Sequence, residues 1–103
     1  MSRTNEKKII VNVRDLSFKS EQAVVDLIRF LAEQLPQIDL VRNGNELEIT
    51  APEKMSKKVI RLRIRKYLHR KGLKEEFRPI SFKNDENEGY IIKEKKVIQL
   101  TYY

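Results

Sequence analysis

Eight cations, Lys57, Lys58, Arg61, Arg63, Arg65, Lys66, Arg70 and Lys71, stand between Ser56 and Lys71 with no carboxylate among them. Side chains of one sign at this density suit one kind of chemistry, neutralising the phosphates of a polyanion. Elsewhere the chain carries 14 basic and 15 acidic residues, so this segment holds the whole excess behind the net charge of +7. Like charges at i,i+4 on a helix repel by ~0.2–0.5 kcal/mol per pair. An ordinary solvated face therefore mixes its signs, and an anionic partner would relieve the repulsion stored here.

Other chemistry has little to build on. His69 is the sole histidine and there is no cysteine, which leaves no His-cluster or Cys-based metal site and no disulfide scaffold. Glu75-Glu76 and Asp85, Glu86 and Glu88 are carboxylates that a divalent cation could use, but they lack the spacing of a calcium loop and read as solvated turn residues. No Gly-rich phosphate loop, Gly-x-Ser-x-Gly elbow or Lys-Thr nucleotide motif is present. The expectation is a protein with no catalytic constellation, no cofactor and no small-molecule substrate.

These residues need a scaffold, and 103 residues with 40% apolar content suffice for one domain, residues 1–103, around one core. No run approaches the roughly 18 apolar residues of a membrane span. Met1 to Lys8 lack the apolar stretch of a signal peptide. A cytoplasmic location follows as an expectation, with residues 1–7 flexible.

Ile9-Ile10-Val11-Asn12-Val13 is β-branched and suits a strand, followed by a polar connection around Leu16 and Phe18. Ser20 is placed to cap a helix on which Val24, Leu27, Ile28, Leu31 and Leu35 recur at three- and four-residue spacing, until Pro36 stops it. Ile38–Arg42 and Glu46–Thr50 suit two strands, and Asn43-Gly44-Asn45 between them supplies the positive φ of a tight hairpin. Ser56 then caps the basic helix, and Gly72 stands where a left-handed C-terminal residue is usual. A strand over Phe77–Lys83 follows, with Pro79 pointing to a sheet edge or an irregularity. Asn84 to Gly89 read as an exposed loop, Tyr90 to Ile92 as extended, and Val97 to Tyr102 as a continuation or a further strand. The predicted order is β-α-β-β-α-β-β, an α+β fold with two helices packed on one face of a largely antiparallel sheet.

On the basic helix, 100° steps gather Ile60, Ile64, Tyr67 and Leu68 on one side, with Val59 flanking. Lys58, Arg61, Arg65 and His69 fall opposite, and Lys66 and Arg70 lie on a shoulder. Cations spaced about 5–6 Å along such a face match the scale of phosphates along a strand. The apolar side is needed for the core, which argues against a membrane-surface helix. Zinc-finger ligands, leucine-zipper heptads and the aromatic motifs of sheet-type RNA binders are missing. Shape and backbone recognition of folded RNA fits this pattern better than sequence readout of DNA, with Arg42, Lys54 and Lys74 as outlying contacts. Tyr102-Tyr103 could stack on a base or simply pack.

From Ile38 onward the residues resemble a known family. Glu46-Leu47-Glu48-Ile49-Thr50-Ala51-Pro52 closes a hairpin, and Ser56-Lys57-Lys58 opens the basic helix. Arg65-Lys66-Tyr67-Leu68-His69-Arg70-Lys71-Gly72-Leu73 ends it, and Phe77-Arg78-Pro79-Ile80 precedes the last strands. This pattern resembles the eukaryotic-type ribosomal protein 22 of the large subunit, in layout over nearly the whole chain and in motif over its last two thirds. The resemblance implies an α+β, non-enzymatic component of the large ribosomal subunit that binds ribosomal RNA, including stem-loop RNA, beside neighbouring ribosomal proteins. It places RNA on Lys57, Lys58, Arg61, Arg65, Lys66, His69, Arg70 and Lys71. The lysine-rich N-terminal extension and acidic C-terminal tail of eukaryotic members are missing, as in an archaeal or minimal member. Charge alone leaves an alternative open, a free-standing DNA-compacting or chromatin-type protein.

Overall fold

In the computed structural model, which describes residues 6–95, five strands and three helices form an α+β fold. In chain order these are β1 (Glu6–Asn12), α1 (Arg14–Lys19), α2 (Glu21–Gln34), β2 (Asp39–Asn43), β3 (Glu46–Pro52), α3 (Lys57–Arg70), β4 (Phe77–Lys83) and β5 (Glu88–Glu94). The strands form one mostly antiparallel sheet in the order β2-β3-β1-β5-β4.

Local chemistry accounts for most boundaries. The Ser20 hydroxyl oxygen accepts from the Ala23 N–H at 3.2 Å and starts α2. Leu35 caps its far end, immediately before Pro36. The β2–β3 hairpin turns through Gly44-Asn45, and Gly44 alone takes positive φ, 59°, as a type II′ turn requires of its first central residue. At the end of α3, Gly72 adopts φ 71° while its N–H reaches His69 O and the Leu73 N–H reaches Leu68 O at 2.8 Å. That paired return is the Schellman motif, and it satisfies carbonyls the helix would otherwise leave open.

Strand alternation puts one set of side chains into the core: Ile9 and Val11 from β1, Leu47 and Ile49 from β3, Tyr90 and Ile92 from β5. Val24, Leu27 and Leu31 of α2 and Ile60, Ile64, Tyr67 and Leu68 of α3 join them in a single buried cluster. Each such aliphatic side chain contributes about 1.5–3 kcal/mol by leaving water.

The fold departs from the expected order at several places. Residues 14–19, read as a polar connection, form α1. Six residues are too few to show a helical period, and Leu16 alone is buried from this turn. The order is therefore β-α-α-β-β-α-β-β. Strand β1 begins at Glu6, which pairs with Pro52, so Glu6 and Lys7 belong to the sheet and not to the flexible stretch expected over residues 1–7. Gly89, read as the end of a loop, lies within β5 opposite Ile10. The pair β1–β5 is parallel, and it brings together strands at opposite ends of the chain. Among the described strands, Pro79 does lie on an edge one, β4. The readings for Val97 to Tyr102 and for Tyr102-Tyr103 fall outside the described residues.

Candidate nucleic-acid interface

Helix α3 is held from three sides. Ser56 accepts from the Lys58 N–H at 3.2 Å and caps its start. On the α2 side the buried Tyr67 hydroxyl donates to Ala23 O at 2.9 Å, and the Tyr67 ring tilts against Phe30 with centroids 5.6 Å apart. Burial, with Asp26 nearby, pushes the Tyr67 phenol up to about 12. On the sheet side Tyr90 donates to Lys57 O at 3.0 Å. These contacts fix α3 against α2 and the sheet.

The eight candidate residues separate into four groups. Arg61, Arg65, Lys66 and His69 line one wall of a groove of about 630 Å³ between α3 and β4. Lys74, Arg78 and Lys95 complete the lining from the far side, with Leu62, Leu68, Phe77 and Pro79 as its apolar part. Among the described residues no carboxylate lines it. Among the described residues the ion pairs are Lys8–Glu48, Lys19–Glu76, Arg42–Glu21 and Lys71–Asp26, so none uses up a groove cation. Arg61 is half-buried, and its Nε is shielded from solvent without a hydrogen-bond partner among the described residues. A partly desolvated guanidinium exerts a less screened field than one in open water. The Lys95 ammonium donates to Lys74 O at 3.0 Å, which fixes it at the groove's end.

Lys57 and Lys71 lie elsewhere. Counted at 100° per residue they share the side of Ile60 and Ile64, one at each end of the apolar stripe. The Lys57 ammonium donates to Ser81 Oγ at 3.0 Å and Phe82 O at 3.3 Å, and stands 4.9 Å from the Tyr90 ring centroid. Lys71 meets Asp26 at 3.6 Å and lies 5.9 Å from the Tyr67 ring centroid. Arg70 approaches the Phe30 ring at 5.9 Å. Both Arg70 and Lys71 border a second hollow that also contains Asp26 and Glu33, a surface of mixed sign. Lys58 is exposed on the first turn of α3.

Of the outlying candidates, Lys74 enters the groove and Lys54 is exposed in the turn before α3. Arg42 is committed to the fold, its Nη1 bonding Glu21 and its Nε donating to Gly44 O at 2.9 Å. That bond to Arg42, helped by the Ser17 hydroxyl, holds the Glu21 carboxyl below its ordinary range.

Arg78 and Lys95 escaped the sequence reading. The one local signal for Arg78 was its place beside Pro79 on an edge strand; Lys95 carried none. Among the described residues no three His, Asp or Glu side chains gather as a metal site, and no helix is long and apolar enough to cross a membrane. Comparison with models of known protein families and with curated proteins finds no match.

Proposed function

We propose that this protein is a non-catalytic, structural component of the large ribosomal subunit that binds folded ribosomal RNA in the cytoplasm. The observation that carries the reading is the groove between α3 and β4, lined among the described residues by six Lys and Arg side chains and His69 with no carboxylate. The resemblance from Ile38 through the final strands to the eukaryotic-type ribosomal protein 22 supplies the ribosomal part of the proposal. The contact set is Arg61, Arg65, Lys66 and His69 on the helix, joined by Lys74, Arg78 and Lys95. Lys58, Arg70 and Lys71 lie at the margins. Phosphate contacts of this kind position a protein on RNA of suitable shape and carry little sequence information.

The test is sedimentation with purified large subunits over a salt series. Association that weakens steeply as salt rises, with a log–log slope of several, supports the reading. Failure to co-sediment at low salt overturns the ribosomal assignment. Competition between an RNA stem-loop and duplex DNA at equal salt separates the RNA reading from a DNA-compacting protein, which a clear preference for DNA would indicate.

A further inference from the structure

The three helices bury their apolar side chains in one cluster with Ile9 and Val11 of β1, and Ile10 between those two lies outside it. The other face of the sheet therefore carries no helix among the described residues, and a sheet face left to water is ordinarily polar. This one is not. Strand register sets Val41, Glu48, Ile10, Gly89 and Phe82 in one row across all five strands. In the next row Ile91 pairs with Ile80 on one side of β1, and Glu46 lies on the other. Strand β4 alternates against expectation. Ser81 is turned to the helix side, where its hydroxyl accepts from the Lys57 ammonium at 3.0 Å, so Ile80 and Phe82 take the open side. Ile10 is shielded by its neighbours in the sheet, but Val41, 57% exposed, and the half-buried Ile80, Phe82 and Ile91 keep apolar surface in water.

Charge divides the same face. Glu46 and Glu48 lie on the β3 side of β1, while Lys93 lies on the β5 side, with Arg78 opposite it in register at the sheet edge. Among the described residues neither Glu46 nor Lys93 forms an ion pair. A phosphate backbone laid over this face would meet the carboxylates, which disfavours nucleic acid here. A second copy of the chain fits better, because a two-fold contact sets one patch against itself and needs a self-complementary surface. Strand β1 is the middle one of the five. A two-fold axis along it lays the β2–β3 half of one copy over the β5–β4 half of the other. Val41 then meets Phe82 of the partner subunit in the same row. Glu46 stands two residues along the strand, about 7 Å, from Lys93 of the partner subunit, a span that the two side chains cover. We infer that the free chain pairs with a second copy through the helix-free face of its sheet, apolar contacts between the margins and Glu46 set against Lys93 on each side. The helices form the outside of such a dimer, so both α3 grooves stay open.

The experiment is sedimentation equilibrium of the full chain without RNA, from about 1 μM to about 1 mM. A reversible monomer–dimer equilibrium is expected. Glu46→Lys and Lys93→Glu each change an exposed side chain. Each alone should raise the dissociation constant about tenfold, since symmetry breaks the contact twice. An equimolar mixture of the two variants should return to the wild-type constant, because one margin is then native and the other has both signs exchanged. A wild-type chain that stays monomeric throughout, single variants that dimerise as tightly as wild type, or a mixture no tighter than either variant alone overturns the inference. So does a monomeric wild-type chain whose RNA affinity falls with Lys93→Glu, which would give this face to nucleic acid. The inference stands apart from the RNA-binding reading, and each of these failures leaves that reading in place.

Discussion

Lys57 and Tyr90 hold each other from both ends: the Lys57 ammonium stands 4.9 Å from the Tyr90 ring centroid, while the Tyr90 hydroxyl donates to Lys57 O at 3.0 Å. The pair pins the first turn of α3 to β5. It turns a lysine that sits in an all-cation segment into part of the packing. Lys57→Gln should therefore lower stability by about 1 kcal/mol, through the lost cation–π contact and the hydrogen bonds to β4. RNA affinity should stay within about twofold. Urea denaturation and an RNA titration of the same variant check both halves; a large affinity loss at unchanged stability would return Lys57 to the interface.

Groove cations should behave in the opposite way. Arg65, Lys66 and Arg78 are exposed, and none forms an ion pair among the described residues. Replacing all three with Gln should leave the melting temperature within a few degrees. The salt slope of RNA binding should fall by about 1 for each phosphate contact removed. Replacing Arg70 and Lys71 instead should reduce the slope less, since Lys71 already meets Asp26 at 3.6 Å.

Tyr67 makes a pH prediction with a definite sign. Its phenol titrates near 12 in the folded chain, against an ordinary value of 10.0. The folded state thus keeps a proton that the unfolded state releases. Its contribution is whole below pH 10 and is lost as pH rises toward 12. Tyr67→Phe should make stability fall less over that interval, measured by denaturation at fixed pH steps. At neutral pH the same variant should cost about 1 kcal/mol for the hydrogen bond to Ala23 O.

Gly89 should tolerate no side chain. A Cβ built there would lie 1.7 Å from Ile10 O and 2.6 Å from Ile10 C. Both are backbone atoms of the central strand and cannot swing aside. Gly89→Ala should separate β5 from β1 and destabilise by more than ~3 kcal/mol, beyond the usual cost of an overpacked core. Near-native stability of that variant by thermal melting would contradict the parallel pairing.

Much of α3 was legible because its signals are local. Ser56 caps it, Ile60, Ile64, Tyr67 and Leu68 set its buried side, Gly72 closes it, and the single sign of its charge needs no partner to be read. The places of Lys57 and Lys71 were legible too, since their spacing from Ile60 and Ile64 puts them on the apolar stripe. Cations of one segment need not share a role, because a lysine stem can lie along the core and carry its ammonium to a ring or a carbonyl. Helix α1 was hidden for another reason. Six residues cannot display a period, and its lone buried anchor, Leu16, looks the same in a loop.

Taken by itself, the amino-acid order determined the caps, the turns, the apolar faces and the location of the excess charge. Each depends on residues a few positions apart, whose conformational and electrostatic preferences act over one or two turns. The groove was decided by the tertiary structure. Parallel pairing of β1 with β5 joins the two ends of the described chain and carries edge strand β4 along. Lys74 and Lys95 thereby come to border the same groove as Arg61 and Arg65. A helix can hold one wall through neighbours in sequence, but a second wall exists only once distant strands have met.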